Sequence, residues 1–141
     1  MIEYDCQILA VLDQCHAFVV TNLVIKPRID RLVNLELAGT TASANGDFML
    51  RNIHFSLDED ARWHRDWSAA LVQMTFGDTQ ANRDVVAAWI AKWEPLAARA
   101  VHALAQVTAD APMAADPAAI AARILQSAGE ETAALLERIQ K

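Results

Sequence analysis

The chain has 141 residues, 54% of them hydrophobic and 21% charged, which describes a folded chain with one domain's worth of core rather than a disordered one. The formal net charge of -6 excludes nucleic acid and anionic membrane surfaces as natural partners, since both demand clustered Lys and Arg. Alanine is abundant while Gly and Pro number four each, so the composition favours helix throughout.

The first helix is expected from about Ile2 to Ile25. Its apolar residues fall on two faces, one carrying Ile2, Cys6, Leu9, Leu12, Val19 and Leu23, the other Ile8, Val11, Cys15 and Phe18. The acidic start Met1-Ile2-Glu3-Tyr4-Asp5 does not resemble a secretory leader, and the apolar run from Ala17 to Ile25 is too short to span a bilayer. Cys6 and Cys15 would lie about 13 Å apart along one helix, too far for a disulfide, so both read as reduced thiols of a cytoplasmic protein. Pro27 is expected to interrupt the helix, which resumes over Arg28–Leu37 and stops at Gly39.

Residues 39 to 55 read as an irregular loop, because Thr40, Thr41, Ser43 and Asn45-Gly46-Asp47 concentrate turn chemistry. Ser56 and Glu59 then form a capping box for a helix whose stripe holds Trp63, Trp67, Ala70, Leu71 and Met74 and which ends at Gly77. A further helix is expected from Asp78 or Thr79 to Val107, carrying Trp89 and Trp93 one turn apart and kinked at Pro95. After a linker over about 108–115, Asp116 caps a last helix with Pro117 in its first position and Gly129 weakening its middle. The whole reads as a single helical domain over 1–141.

Catalytic chemistry is scarce. A ferritin-like di-iron centre draws a Glu-x-x-His pair from each of two helices, since i, i+3 spacing puts carboxylate and imidazole on one inward face. The residues three before His16, His54, His64 and His102 are Asp13, Arg51, Ala61 and Arg99, so no such pair exists. Asp13 and His16 are the nearest match, and an enzyme holding its own metal at His16 and His64 is the reading they would serve; a packed or hydrogen-bonded His16 is the plainer one. Asp60 and His64 stand i, i+4 and can pair electrostatically. There is no glycine-rich nucleotide loop and no Cys-x-x-Cys.

The order Trp63-His64-Arg65-Asp66-Trp67, Asn82-Arg83, Trp89-Ile90-Ala91-Lys92-Trp93-Glu94-Pro95 and Arg99-Ala100, preceded by Thr21-Asn22-Leu23-Val24 with Pro27 and by Asn45-Gly46-Asp47-Phe48, resembles the closing part of the β subunit of bacterial multicomponent di-iron monooxygenases, the toluene, phenol and alkane hydroxylases. The resemblance runs from about Thr21 to Ala105. It implies an all-α, ferritin-like bundle serving as a non-catalytic subunit of an enzyme that hydroxylates hydrocarbons or aromatics with O₂. It implies no cofactor on this chain, a di-iron centre on a partner α subunit, and a small γ subunit beside them. Family β subunits are considerably longer, so the chain stands for a fragment, a split product or a shortened relative. The alternative is a stand-alone helical module, derived from such a subunit, that self-associates. Leu12, Phe18, Trp63, Trp67, Trp89, Trp93 and Pro95 are the residues expected in the core or at a subunit contact.

Overall fold

The computed structural model describes residues 13–108 and 116–140, and every long element in it is a helix. The expectations for Ile2 to Leu12, Cys6 among them, and for residues 109–115 lie outside the described residues. Helix α1 runs unbroken over 13–44, with two wide π-helical stretches, Val20–Ile25 and Leu32–Gly39, set between α-helical turns. Helices α2 (Phe48–Phe76), α3 (Gln80–Ala105, closing in a 3₁₀ turn at Gln106–Thr108) and α4 (Pro117–Gln140) complete the bundle.

The expected break at Pro27 does not occur. Proline enters at the start of the Lys26–Arg31 α-turn, directly after the π stretch, where a missing N–H costs least. The Arg28 guanidinium reaches back one turn and donates to the Val24 carbonyl at 2.7 Å. Gly39 does not stop the helix either, because it stays right-handed within the second π stretch and the helix continues through Thr40–Ala44.

The loop expected over 39–55 shrinks to Asn45-Gly46-Asp47. Gly46 takes φ +73°, a left-handed conformation that glycine adopts without penalty, and the Asp47 N–H returns to the Ala42 carbonyl at 2.9 Å, closing α1. The Asp47 carboxylate then accepts from the Leu50 N–H at 2.9 Å and opens α2. The Ser56/Glu59 capping box is therefore wrong: both residues are interior to α2, because a stronger signal, a closing glycine followed at once by a capping aspartate, lies nine positions earlier. Replacing Asp47 by Ala is expected to lower stability by about 1 kcal/mol in a urea melt, the usual cost of a lost N-cap.

The remaining boundaries fall as expected. Gly77 ends α2, where a Cβ would collide with the Gln73 carbonyl oxygen. Thr79 caps α3 through the Asn82 N–H at 3.1 Å, and Asp116 caps α4 through the Ala118 N–H at 3.2 Å. Pro95 lies inside α3, which runs on through it.

The helices close over two apolar clusters. Val19, Leu23 and Val24 of α1 meet Ala69 and Val72 of α2, Val86, Ile90 and Ala97 of α3 and Leu135 of α4. Leu32 of α1 meets Val101 and Ala105 of α3 and Ile120, Ala121 and Ile124 of α4. Along α1 the buried Arg28 falls between the two clusters, and along α4 the half-buried Glu131 does. Among the described residues no helix is long and apolar enough to cross a membrane.

Candidate functional site

The interior between the clusters is ionic. Arg28 is 2% exposed and its guanidinium donates to Glu94 of α3 at 2.8 Å. Burial pushes the Arg28 guanidinium below the ordinary arginine value, and the Glu94 carboxylate offsets only part of that shift. From α1, Arg31 donates to Ser127 and Glu131 of α4; Arg65 of α2 approaches the other Glu131 oxygen at 3.6 Å. Arg123 of α4 is held by both carboxylate oxygens of Glu36, each at 2.9 Å. Guanidinium groups cannot ligate a metal, since they carry donors and no acceptor. Among the described residues no three His, Cys, Asp or Glu side chains come together in a metal-holding group. The donor set present does not fit a di-iron centre.

The histidines separate. His16 of α1 accepts from the Trp93 indole N–H at 3.0 Å, and its ring lies 4.9 Å from that of Trp89, so the imidazole is packed and hydrogen-bonded against α3. An Nε2 that accepts is unprotonated, which places the proton of neutral His16 on Nδ1. His64 stands 3.5 Å from Ser68 on its own helix, and no ion pair joins it to Asp60. Nothing here assembles the metal site at His16 and His64 that the third reading required.

The two tryptophan pairs part company. Trp89 and Trp93 are half-buried and packed against the first cluster, beside Phe18 and Phe76. Trp63 is 71% exposed and Trp67 48% exposed, so neither belongs to the core of this chain, although Phe18 meets the edge of the Trp67 ring at 6.1 Å. Pro95 is exposed, and Leu12 lies outside the described residues. The reason is the register of α2. Its inward arc is occupied by Asp58, Arg65, Ser68, Ala69 and Val72. Met49, Ile53, Trp63, Trp67 and Met74 fall within an arc of about 80° on the opposite side, at 100° per residue. All five are exposed. They form two apolar segments on one face, Met49 with Ile53 and Trp63 with Trp67 and Met74, separated by the exposed Ser56 and Asp60 in the same arc. Patches of this kind on a folded chain mark contact surfaces.

In the described part of α1, Val19, Val20, Leu23 and Val24 are buried within this chain, while Cys15 and Phe18 of the second face are half-buried. The ionic interior was not foreseen. In the sequence, Arg28, Arg31, Arg62 and Arg65 look like ordinary solvated helix charges; their i, i+3 pairing on helices with few other polar inward positions was the one available signal.

A family model described as methane/phenol/alkene hydroxylase matches residues 7–79. The chain is 39% identical over 95 residues to the toluene-4-monooxygenase system, hydroxylase component subunit beta, of Ectopseudomonas mendocina, covering 67% of this chain and 28% of that protein. It is 29% identical over 136 residues to the propane 2-monooxygenase, hydroxylase component small subunit, of Mycolicibacterium goodii, covering 94% of this chain and 36% of that protein. The chain thus spans about a quarter to a third of the length of these relatives. No solved structure matches it.

Proposed function

Because the chain belongs to the methane/phenol/alkene hydroxylase family, we propose that it is a non-catalytic β-type subunit, or a piece of one, in a multicomponent monooxygenase that hydroxylates hydrocarbons or aromatics with O₂. The two relatives are hydroxylase β and small subunits by name. In this reading a larger α-type chain holds the di-iron centre and does the chemistry, a small γ-type chain completes the unit, and this chain contributes shape and contact surface.

One observation carries the proposal: the exposed apolar cluster Trp63, Trp67 and Met74 of α2, with Met49 and Ile53 on the same face beyond Ser56 and Asp60. An indole with about half or more of its surface in water is a poor use of a large apolar side chain in a lone domain and a good one in an anchor, since Trp is enriched among the residues that dominate interface energies. Among the described residues the interior holds Arg28–Glu94 and Arg31–Glu131 pairs rather than a cluster of carboxylates and imidazoles.

The test is co-expression with the iron-bearing hydroxylase chain from the same source, followed by size-exclusion chromatography and iron analysis. Co-elution with a larger iron-containing chain is expected. Trp63→Glu with Trp67→Glu should weaken the association by about 100-fold or more, as loss of two anchors worth about 2 kcal/mol each would do. These substitutions leave the core residues of α2 untouched, so thermal stability of the isolated chain should change little. A chain that elutes alone, or that binds equally well with both tryptophans replaced, would overturn the reading.

A further inference from the structure

Near the C-terminal end of α2, a cleft of about 260 Å³ opens between α2 and the first described turns of α1. Cys15 and Phe18 of α1 and Leu71, Val72 and Phe76 of α2 form its wall. Gln14 and Thr75, both exposed, stand at its rim. Val72 is 1% exposed and belongs to the first apolar cluster, so the cleft reaches down to the core.

The chemistry of this wall is one-sided. It contains no acidic or basic side chain, and the Thr75 hydroxyl already donates to the Leu71 carbonyl at 2.8 Å. None of the buried side-chain atoms that lack a partner belongs to it. A charged ligand would lose its hydration here with no counter-charge to replace it, whereas an apolar one gains by leaving water. Two phenyl rings and a thiol favour a ligand with a π system. Aromatic rings attract one another edge-to-face or offset, and sulfur packs well against ring edges. Both phenyl rings are themselves fixed by edge contacts, Phe18 to Trp67 at 6.1 Å and Phe76 to Trp89 at 5.9 Å.

Size decides between occupants. The lining runs from Gln14 to Phe18 on one helix and from Leu71 to Phe76 on the other. These are lengths of about 6 Å and 8 Å, little more than one turn each, and a docked helix or strand needs a longer track. An apolar cavity of about 150 Å³ takes up benzene. The cleft, at about 260 Å³, has room for one such ring with a small substituent.

We infer that this cleft is a binding site for a small neutral arene, one aromatic ring held between Phe18 and Phe76 beside the Cys15 thiol. The site is built from this chain alone. It does not depend on the assembly proposed above, so either can fail without the other.

The experiment titrates the purified full chain with fluorobenzene and, separately, with 4-fluorobenzoate, following the fluorine NMR signal of each. In parallel, the rate at which N-ethylmaleimide alkylates Cys15 is read from the mass of the peptide that carries it, so that Cys6 does not contribute. Saturable fluorobenzene binding with a Kd of about 1 mM or lower is expected, the affinity that burial of one small ring supports. The benzoate should bind at least ~10-fold more weakly, because its carboxylate finds no partner. Saturating fluorobenzene should slow Cys15 alkylation at least ~5-fold by blocking access to the sulfur. Cys15→Phe places a ring in the same space and should remove fluorobenzene binding. Should that variant not fold, Thr75→Trp closes the cleft from its exposed rim and should do the same. Uptake that does not saturate, benzoate binding as tight as that of fluorobenzene, or binding unchanged in the cleft-filling variants would overturn the site. So would saturable binding that leaves the alkylation rate of Cys15 where it was.

Discussion

Replacing Glu94 with Leu is expected to destabilise the chain by about 3 kcal/mol, while replacing its partner Arg28 with Met is expected to change stability by less than about 1 kcal/mol. The asymmetry follows from burial. The Arg28 side chain is 3% exposed and that of Glu94 is 40% exposed. Removing the carboxylate leaves a guanidinium inside the bundle with one carbonyl, that of Val24, as its acceptor and only the weaker charge of Glu131 to offset its own. Its Nε is already buried without a partner. Removing the guanidinium instead leaves a carboxylate that water can reach, and Met fills the space of the arginine stem. The lowered affinity of Arg28 for its proton points the same way: the folded state disfavours the charged form relative to the unfolded chain, even with Glu94 present. Urea unfolding of the two single variants and the double variant separates the terms, with the midpoint shifting at constant slope. Equal losses from Glu94→Leu and Arg28→Met would mean that the pair is worth more than its desolvation.

Leu32→Ala is expected to cost about 2–5 kcal/mol, the range for truncating a fully buried leucine. Leu32 is wholly buried and is the α1 member of the second apolar cluster, set against Val101 and Ala105 of α3 and Ile120, Ala121 and Ile124 of α4. Three small or β-branched side chains around it, Val101, Ala105 and Ala121, have few rotamers with which to collapse into the space, which favours the upper part of that range. It also lies at the first residue of a π stretch, whose widened turn is held in place by this packing rather than by propensity. Met74→Ala on the exposed stripe should change stability by less than about 0.5 kcal/mol in the same denaturation experiment. A loss below 1 kcal/mol for Leu32→Ala would show that the second cluster is not a cooperative part of the fold.

The sequence by itself determined the helical class, the helix ends at Gly77, Thr79 and Asp116, and the family. Thr79, Gly77 and the Asp116-Pro117 pair act within one turn of themselves, so a linear reading finds them. The Trp-rich order, spread over many positions, carried the family resemblance, and the family model matches residues 7–79. The continuation of α1 past Pro27 and Gly39 was not legible, because π turns held by distant packing override the local signals for stopping. Which face of each helix is inward was decided only by the tertiary structure. Trp63 and Trp89 look equivalent along the chain, each with an indole one turn later, yet the register of α2 puts Arg65 and Asp58 inside and turns Trp63 to the surface. Periodicity reports that a helix has an apolar stripe; it does not report whether that stripe meets this chain or another one. The arginines show the same limit from the other side. A charge at helical spacing is solvated unless a carboxylate from a helix 66 or 100 residues away arrives to meet it, and that meeting of Arg28 with Glu94 and of Arg31 with Glu131 is a property of the packed bundle alone.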